Sequence, residues 1–133
     1  DEYVLNMKTR NAHGNVTGPD VHAMHLFFDG QYTVLTKFID EIAERIRAIG
    51  HVPPGSLGEM LKLARLKEKS GAKHASADFL AALLADHEQV IRQIREDAPK
   101  CDDAGDAGTN DFLVGLMEKH EKMAWMIRAS LDK

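Results

Sequence analysis

Four side chains able to bind a cation lie along one continuous helical segment. His25 and Asp29 are four residues apart, as are Asp40 and Glu44. Residues at i and i+4 share a helical face. At about 100° per residue, with His25 at zero, Asp29 falls near 40°, Asp40 near 60° and Glu44 near 100°. The apolar stripe of the same segment (Val21, Phe28, Tyr32, Leu35, Ile39, Ile42, Ile46) runs from about −20° to −100°. The four groups therefore flank the stripe, whereas a solvated charge face would lie opposite it. Asp29 and Asp40 are separated by about 16 Å along the axis, too far for one ion held by bonds of about 2 Å. They form two half-sites. Antiparallel pairing of this helix with its own copy would bring His25 and Asp29 of one chain against Asp40 and Glu44 of the other. Leu26, Phe27, Val34 and Phe38 lie outside the core stripe and are expected to supply the apolar contact for that pairing. His13 is a further candidate ligand. Mixed imidazole and carboxylate ligation suits iron or manganese and redox chemistry. Zinc would favour a cysteine-containing or tetrahedral set, and Cys101 is the one cysteine of the chain.

The elements that position these groups are helical. Sustained apolar/polar alternation is absent and helical periodicity dominates. A first helix is expected from Asp1 to about Ala12, broken by Gly14 and the run Asn15–Gly18. The second, long helix is expected to start at a Thr17 or Gly18 cap, with Pro19 in its first turn, and to reach Ile49. Gly50 then stands at its C′ position and Pro53-Pro54 prevents continuation. A connector from Gly50 to about Gly71 holds a short helix near Leu57–Lys67. A third main helix is expected over Ala75–Asp97, ending before Pro99 and an acidic loop. A fourth is expected over Asn110–Leu131, capped by Thr109. The reading is an all-α bundle of four main helices, with a short extra helix in the long connector between the second and third. It forms a single domain over residues 1–133.

Composition sets the limits. The chain has 133 residues, 44% hydrophobic and 29% charged, which suits one compact domain able to form its own core. A single cysteine excludes an intrachain disulfide framework, and Cys101 reads as an incidental thiol in a reducing cytosol. No apolar run approaches the roughly 18 residues of a membrane span, and no signal-peptide pattern is expected. The net charge of −4 is a poor basis for binding a phosphate backbone, whereas seven histidines add nitrogen donors to an acidic body.

The residues around the candidate ligands are also recognisable. The run Asn11-Ala12-His13-Gly14-Asn15-Val16-Thr17-Gly18, then Met24-His25-Leu26-Phe27-Phe28-Asp29, then Asp40-Glu41-Ile42-Ala43-Glu44-Arg45 resembles the Dps family. These are the mini-ferritins, or DNA-binding proteins of starved cells. The closing His120–Met126 segment is similar to the family's last helix, so the resemblance spans essentially the whole chain. It implies a ferritin-like four-helix bundle that assembles into a hollow shell of twelve identical subunits. It implies a ferroxidase centre at a two-fold interface, with His13, His25 and Asp29 from one subunit and Asp40 and Glu44 from its mate. The implied activity is oxidation of Fe(II) by hydrogen peroxide or oxygen and storage of the ferric product, protecting a bacterial cytoplasm from oxidative stress. Asp106 and Asp111 stand where the family lines an iron-entry pore, although a plain acidic cap at a helix start would place them equally well.

Two departures from the family pattern bear on function. The aromatic residues that commonly flank the first histidine are Ala12 and Gly14 here. Their loss is expected to leave space beside the site and to loosen the helix end that holds His13. The Lys-rich arm on which DNA binding in the family often depends has no counterpart, since Lys8 and Arg10 lie in a helix and only Lys133 ends the chain. DNA binding is possible for the family and is not expected for this sequence. The alternative function is a shell-forming structural or nucleoid-associated protein with an impaired site. The family pattern does not use His22 as a ligand, and His51, His74, His87 and His120 read as surface or satisfied structural residues. The methionines read as core filler, and Trp125 as a packed anchor.

Overall fold

The computed structural model describes residues 1–132, so the expectation placed on Lys133 lies outside the described residues. Five helices account for most of the chain: α1 (Glu2–Asn15), α2 (Val21–Ala48), α3 (Leu57–Leu63), α4 (Ser76–Asp103) and α5 (Ala107–Leu131). Two two-residue strands, β1 (Val16–Thr17) and β2 (His74–Ala75), pair in parallel. The chain divides into two compact units, residues 1–79 and residues from Leu80 onward.

In the first unit, α1 packs along α2 over a core that includes Val4, Leu5, Ala12, Phe28, Leu35 and Phe38. Helix α1 does not stop at Ala12 but runs through Gly14 to Asn15. Gly18 then turns the chain with φ +127°, a backbone state that favours glycine because it has no Cβ. The α2 cap is Asp20, rather than Thr17 or Gly18. The Asp20 carboxylate does not cap its own helix; it accepts a bond from Ser76 Oγ at 2.5 Å. That bond, the β1–β2 pair and Thr17 Oγ1 donating to the His74 carbonyl at 3.2 Å tie the end of the connector to the α1–α2 turn. At the other end of α2, Gly50 has φ +91° and donates to the Arg47 carbonyl, while the His51 N–H reaches the Ile46 carbonyl. Together these form the Schellman closure, which satisfies the last carbonyls of the helix.

The connector helix α3 is shorter than expected, ending at Leu63 rather than near Lys67. It starts with a capping box. Ser56 Oγ accepts from the Glu59 N–H at 3.3 Å and Glu59 Oε2 accepts from the Ser56 N–H at 3.0 Å. Past α3, the Asp1 carboxylate accepts from the backbone N–H groups of Arg65 and Leu66 at 2.6 and 2.9 Å, which pins this stretch to the start of α1.

In the second unit, α4 continues past the expected end at Asp97, with Pro99 inside it. Proline removes one helical donor and crowds the preceding turn. Pro99 is exposed, so water can satisfy the carbonyl left without a partner, while its neighbour Ala98 is buried. Helix α4 closes at Gly105 with the same pair of bonds as α2, from Gly105 N–H to Asp102 and from Asp106 N–H to Cys101. Asp106, not Thr109, caps α5. Its carboxylate accepts from the Thr109 N–H at 2.9 Å and from the Thr109 hydroxyl at 2.5 Å. Asp outcompetes Thr at this position because its charge also complements the positive end of the helix dipole. Arg95–Glu121 at 2.7 Å and Arg128–Glu88 at 3.1 Å cross between α4 and α5 at the surface. Such pairs contribute at most about 1 kcal/mol each. Trp125 is exposed rather than packed, and so are Met7 and Met126; of the methionines only Met123 is buried.

His87 and His120 are both fully buried in this unit, with Nδ1 to Nδ1 at 3.0 Å, one ring donating and the other accepting. Burial, and secondarily the neighbouring His120 ring, pushes the His87 imidazole down to about 3. Its folded value therefore lies below the ordinary 6.5 of the unfolded chain. The stability that His87 contributes is present above pH 6.5 and is lost as the pH falls towards 3, because over that window only the unfolded chain takes up the proton. The slope approaches about 1.4 kcal/mol per pH unit. Urea unfolding of the native chain and of His87→Gln at pH 7.5, 6 and 5 checks this. The native chain is expected to lose stability relative to the variant on acidification, and parallel behaviour of the two would show that His87 does not exclude the proton.

Candidate metal centre

The site is assembled by the register of α1 against α2. Asn6, buried on α1, donates to the Tyr32 carbonyl at 3.0 Å and to Thr36 Oγ1 at 3.1 Å, both on α2. Its own oxygen accepts from Arg10 Nε at 2.9 Å. Seven residues along α1 from Asn6 lies His13, and seven residues back along α2 from Tyr32 lies His25. Seven residues are two turns, about 10.5 Å, on either helix. In an antiparallel pair, the register that sets Asn6 opposite Tyr32 therefore sets His13 opposite His25.

The two imidazoles stack, with ring centroids 3.6 Å apart and planes 25° from parallel. Each is held by the backbone of the other residue: His13 Nδ1 lies 2.9 Å from the His25 carbonyl oxygen, and His25 Nδ1 lies 2.8 Å from the His13 carbonyl oxygen. A carbonyl can only accept, so both Nδ1 atoms carry the proton, and in the neutral rings both Nε2 atoms keep their lone pairs. That arrangement preorganises metal ligation, since a second bond at the far ring nitrogen fixes both tautomer and orientation.

Asp29 lies one turn beyond His25 on α2. Its Oδ1 accepts from the Tyr32 hydroxyl in a short hydrogen bond. This bond is the largest cause of a Tyr32 phenol raised above its ordinary value of 10, with desolvation and the Asp29 charge adding to it and Arg10 opposing it. The Tyr32 ring meets His13 edge-on at 5.3 Å, and the Arg10 guanidinium carbon lies 4.1 Å from the ring centroid. Sequence reasoning placed Tyr32 in the core stripe and gave Asn6 no role. The signal available for Tyr32 was a polar hydroxyl at i+3 from a carboxylate.

The structure thus brings His13, His25 and Asp29 into one neighbourhood. Asp40 and Glu44 stand further along α2, both exposed, at the separation the helical rise dictates. Among the described residues no group of three or more His, Cys, Asp and Glu gathers in a geometry that could hold an ion within the single chain. Leu26 and Val34 are exposed and Phe27 is half-buried, whereas Phe38 is buried in the chain's own core and is not free for pairing. Asp106 is the α5 cap and Asp111 is exposed on that helix. His22 and His51 are exposed and His74 is half-buried. The two departures separate. Ala12 is fully buried, so packing closes around it, whereas a Cβ on Gly14 would meet no atom within 4 Å. Space is left at position 14 and not at position 12. His13 is held despite Gly14, because the helix continues and the His25 bonds fix the ring.

The donor set fits a ferrous or ferric ion: two imidazole nitrogens for the softer state and carboxylates for the harder. Known proteins of similar sequence and structure fall in the ferritin class. The ferritin family, described as a ferritin-like domain, matches residues 1–133. A low temperature-induced protein of Nostoc is 43% identical over 133 residues, 99% of this chain and 74% of that protein. The DNA protection during starvation protein 2 of Bacillus anthracis is 34% identical over 133 residues, 100% of this chain and 90% of that one. The crystal structure of a Dps protein from Bacillus brevis matches with a TM-score of 0.93 at 31% identity, covering 98% of this chain and 87% of the other. The Vibrio cholerae DPS protein, described as a member of a broad superfamily of ferritin-like diiron-carboxylate proteins, matches with a TM-score of 0.92 at 30% identity, over 98% of this chain and 82% of the other. Ferritin-like architecture is thus the class, with α3 as the short extra helix of the connector. Within that class, the chain belongs to the Dps family.

Replacing Asn6 by Ala removes two bonds from α1 to α2 and the acceptor of Arg10. The expected cost is about 1–3 kcal/mol, read as a lower urea midpoint. An unchanged midpoint would show that the register does not depend on Asn6.

Proposed function

We propose that the chain is the subunit of an iron-oxidising and iron-storing shell, with Fe(II) as substrate and hydrogen peroxide or oxygen as oxidant. His13, His25 and Asp29 of one copy and Asp40 and Glu44 of a second would bind the iron between them. The observation that carries this reading is the stacked His13–His25 pair, with both Nε2 lone pairs kept by reciprocal Nδ1–H bonds. His25 and Asp29 stand on the same helix as Asp40 and Glu44, an acidic pair too distant to share an ion with them within one chain. Leu26, within the first pair, and Val34, between the two pairs, are exposed on α2 and supply apolar surface for an isologous contact.

The chemistry follows from the donors. Carboxylates compensate charge and favour Fe(III) over Fe(II), which lowers the potential needed for oxidation. Two irons each give one electron to one peroxide, and with two protons from solvent the products are two Fe(III) and two waters. Paired delivery of electrons avoids release of hydroxyl radical. In this reading the ferric product is stored inside the shell, and Asp106 and Asp111 contribute to the acidic entry path. The protein would act in a bacterial cytoplasm. Among the described residues no helix is long and apolar enough to cross a membrane. The structural or nucleoid-only alternative rested on an impaired site, and no observation favours it, because His13 is fully held beside Ala12 and Gly14. DNA binding gains no support from a net charge of −4.

Anaerobic Fe(II) titration of the assembled protein, followed by half an equivalent of peroxide, tests the reading through ferric absorbance. The native protein is expected to elute near twelve times 14.8 kDa and to consume about one peroxide per two irons. Replacing Asp40 and Glu44 by Ala should slow oxidation by at least about 100-fold, as loss of metal-site partners does. Equal rates in the variant, or native oxidation no faster than in protein-free buffer, would contradict it.

A further inference from the structure

Tyr32 touches two members of the proposed ligand set. Its hydroxyl donates to Asp29 Oδ1, its ring edge meets the His13 ring with centroids 5.3 Å apart, and the Arg10 guanidinium carbon covers its face at 4.1 Å. Asn6 fixes this arrangement twice, through Arg10 Nε at 2.9 Å and through the Tyr32 carbonyl at 3.0 Å. A phenol needed only to fill the α1–α2 contact would not require an oriented cation on one side and a carboxylate acceptor at its oxygen.

We propose that Tyr32 is a redox-active residue of the half-site, supplying the second electron when peroxide meets a site holding a single Fe(II). This rests on the ferroxidase reading above. A lone Fe(II) gives one electron, whereas reduction of peroxide to water needs two. In the proposed step the O–O bond breaks. One electron comes from Fe(II), which becomes Fe(III), and one from the phenol, which becomes a neutral phenoxyl radical. The phenolic proton moves along the existing hydrogen bond to the Asp29 carboxylate and on to a departing hydroxide. A second proton from solvent completes the other water. The balance is one peroxide, one Fe(II), one tyrosine and one proton giving Fe(III), one phenoxyl radical and two waters.

The surroundings match this role. The acceptor for the proton is already in place, so no heavy atom needs to move. The phenolic proton already points at the Asp29 carboxylate, so it lies on the path along which it transfers. A guanidinium over the ring opposes a ring radical cation, since cation and positive hole repel. Electron and proton must therefore leave together, which directs the reaction through Asp29. The same geometry places a one-electron donor at the site although the position after His13 is Gly14, with no side chain.

The chain contains two tyrosines, Tyr3 and Tyr32, so the radical can be assigned by two single substitutions. The assembled protein is loaded anaerobically with one Fe(II) per chain, mixed with one equivalent of hydrogen peroxide, freeze-quenched and examined by electron paramagnetic resonance. A phenoxyl signal is expected in the native protein and in Tyr3→Phe. In Tyr32→Phe, assembled to the same size, the signal should be at least about tenfold weaker and spin-trapped hydroxyl radical should rise. A signal that persists in Tyr32→Phe and disappears in Tyr3→Phe overturns the proposal. So does native protein that oxidises iron faster than buffer with no phenoxyl signal, an outcome that leaves the ferroxidase reading standing. Native protein that oxidises iron no faster than buffer overturns both.

Discussion

Sliding α1 along α2 by one turn would break both bonds from Asn6, remove Arg10 from the face of Tyr32 and unstack His13 from His25. All of these contacts share one antiparallel register, so they stand or fall together. The hydrogen bonds at Asn6 are worth only about 1 kcal/mol each, but they have few alternatives, because a buried amide must find partners at fixed heights along the neighbouring helix. The buried apolar side chains Leu5, Phe28, Leu35 and Phe38 hold the helices together without defining that height so sharply. Position along the axis is thus a polar decision, and adhesion an apolar one.

The chemical consequence runs through the reciprocal His13–His25 bonds. Each backbone carbonyl claims the Nδ1 proton of the opposite ring. The nitrogens left free on the two rings are therefore set by main-chain geometry rather than by a separate carboxylate partner, so the fold itself chooses the tautomer. Asp29 is handled differently. Its orienting partner is a side chain, Tyr32, which is itself held between a ring edge and a cation. In the proposed half-site the imidazoles are therefore held by main-chain carbonyls and the carboxylate by a phenol. The tie from Asp20 to Ser76 and the β1–β2 pair brace the α1–α2 turn from outside.

Much of this was legible in the sequence. The i, i+4 pairs on α2 and the 16 Å rise between them follow from helix geometry alone, and the long α2 stripe announced the helix that bears them. What was not legible has specific causes. The His13–His25 stack joins residues on different helices, so it depends on tertiary register. Tyr32 reads as apolar by position because its six stripe companions are all apolar residues, and only the fold reveals where its hydroxyl points. Pro99 reads as a stop, yet an exposed proline late in a helix costs little when water can reach the carbonyl it orphans. Ser56-Leu57-Gly58-Glu59 spells a capping box, and Asp106 outranks Thr109 as a cap; both signals were present and outweighed by hydrophobic spacing. Phe38 shows the limit of a helical wheel, since its burial is decided by a neighbour the wheel does not include.

The central claim is that each α2 bears two half-sites that are completed only by a second copy, and co-assembly of two defective chains tests it most directly. One chain carries His25→Ala and the other Asp40→Ala with Glu44→Ala, and each alone should be inactive in ferroxidation. In a mixed pair, one of the two sites draws its histidines and its acidic residues from intact halves. Random co-assembly should then restore about a quarter of the native activity, because half of the pairs are mixed and each has one complete site. Mixed assemblies as inactive as their parents would contradict the shared site and require each centre to be built within one chain.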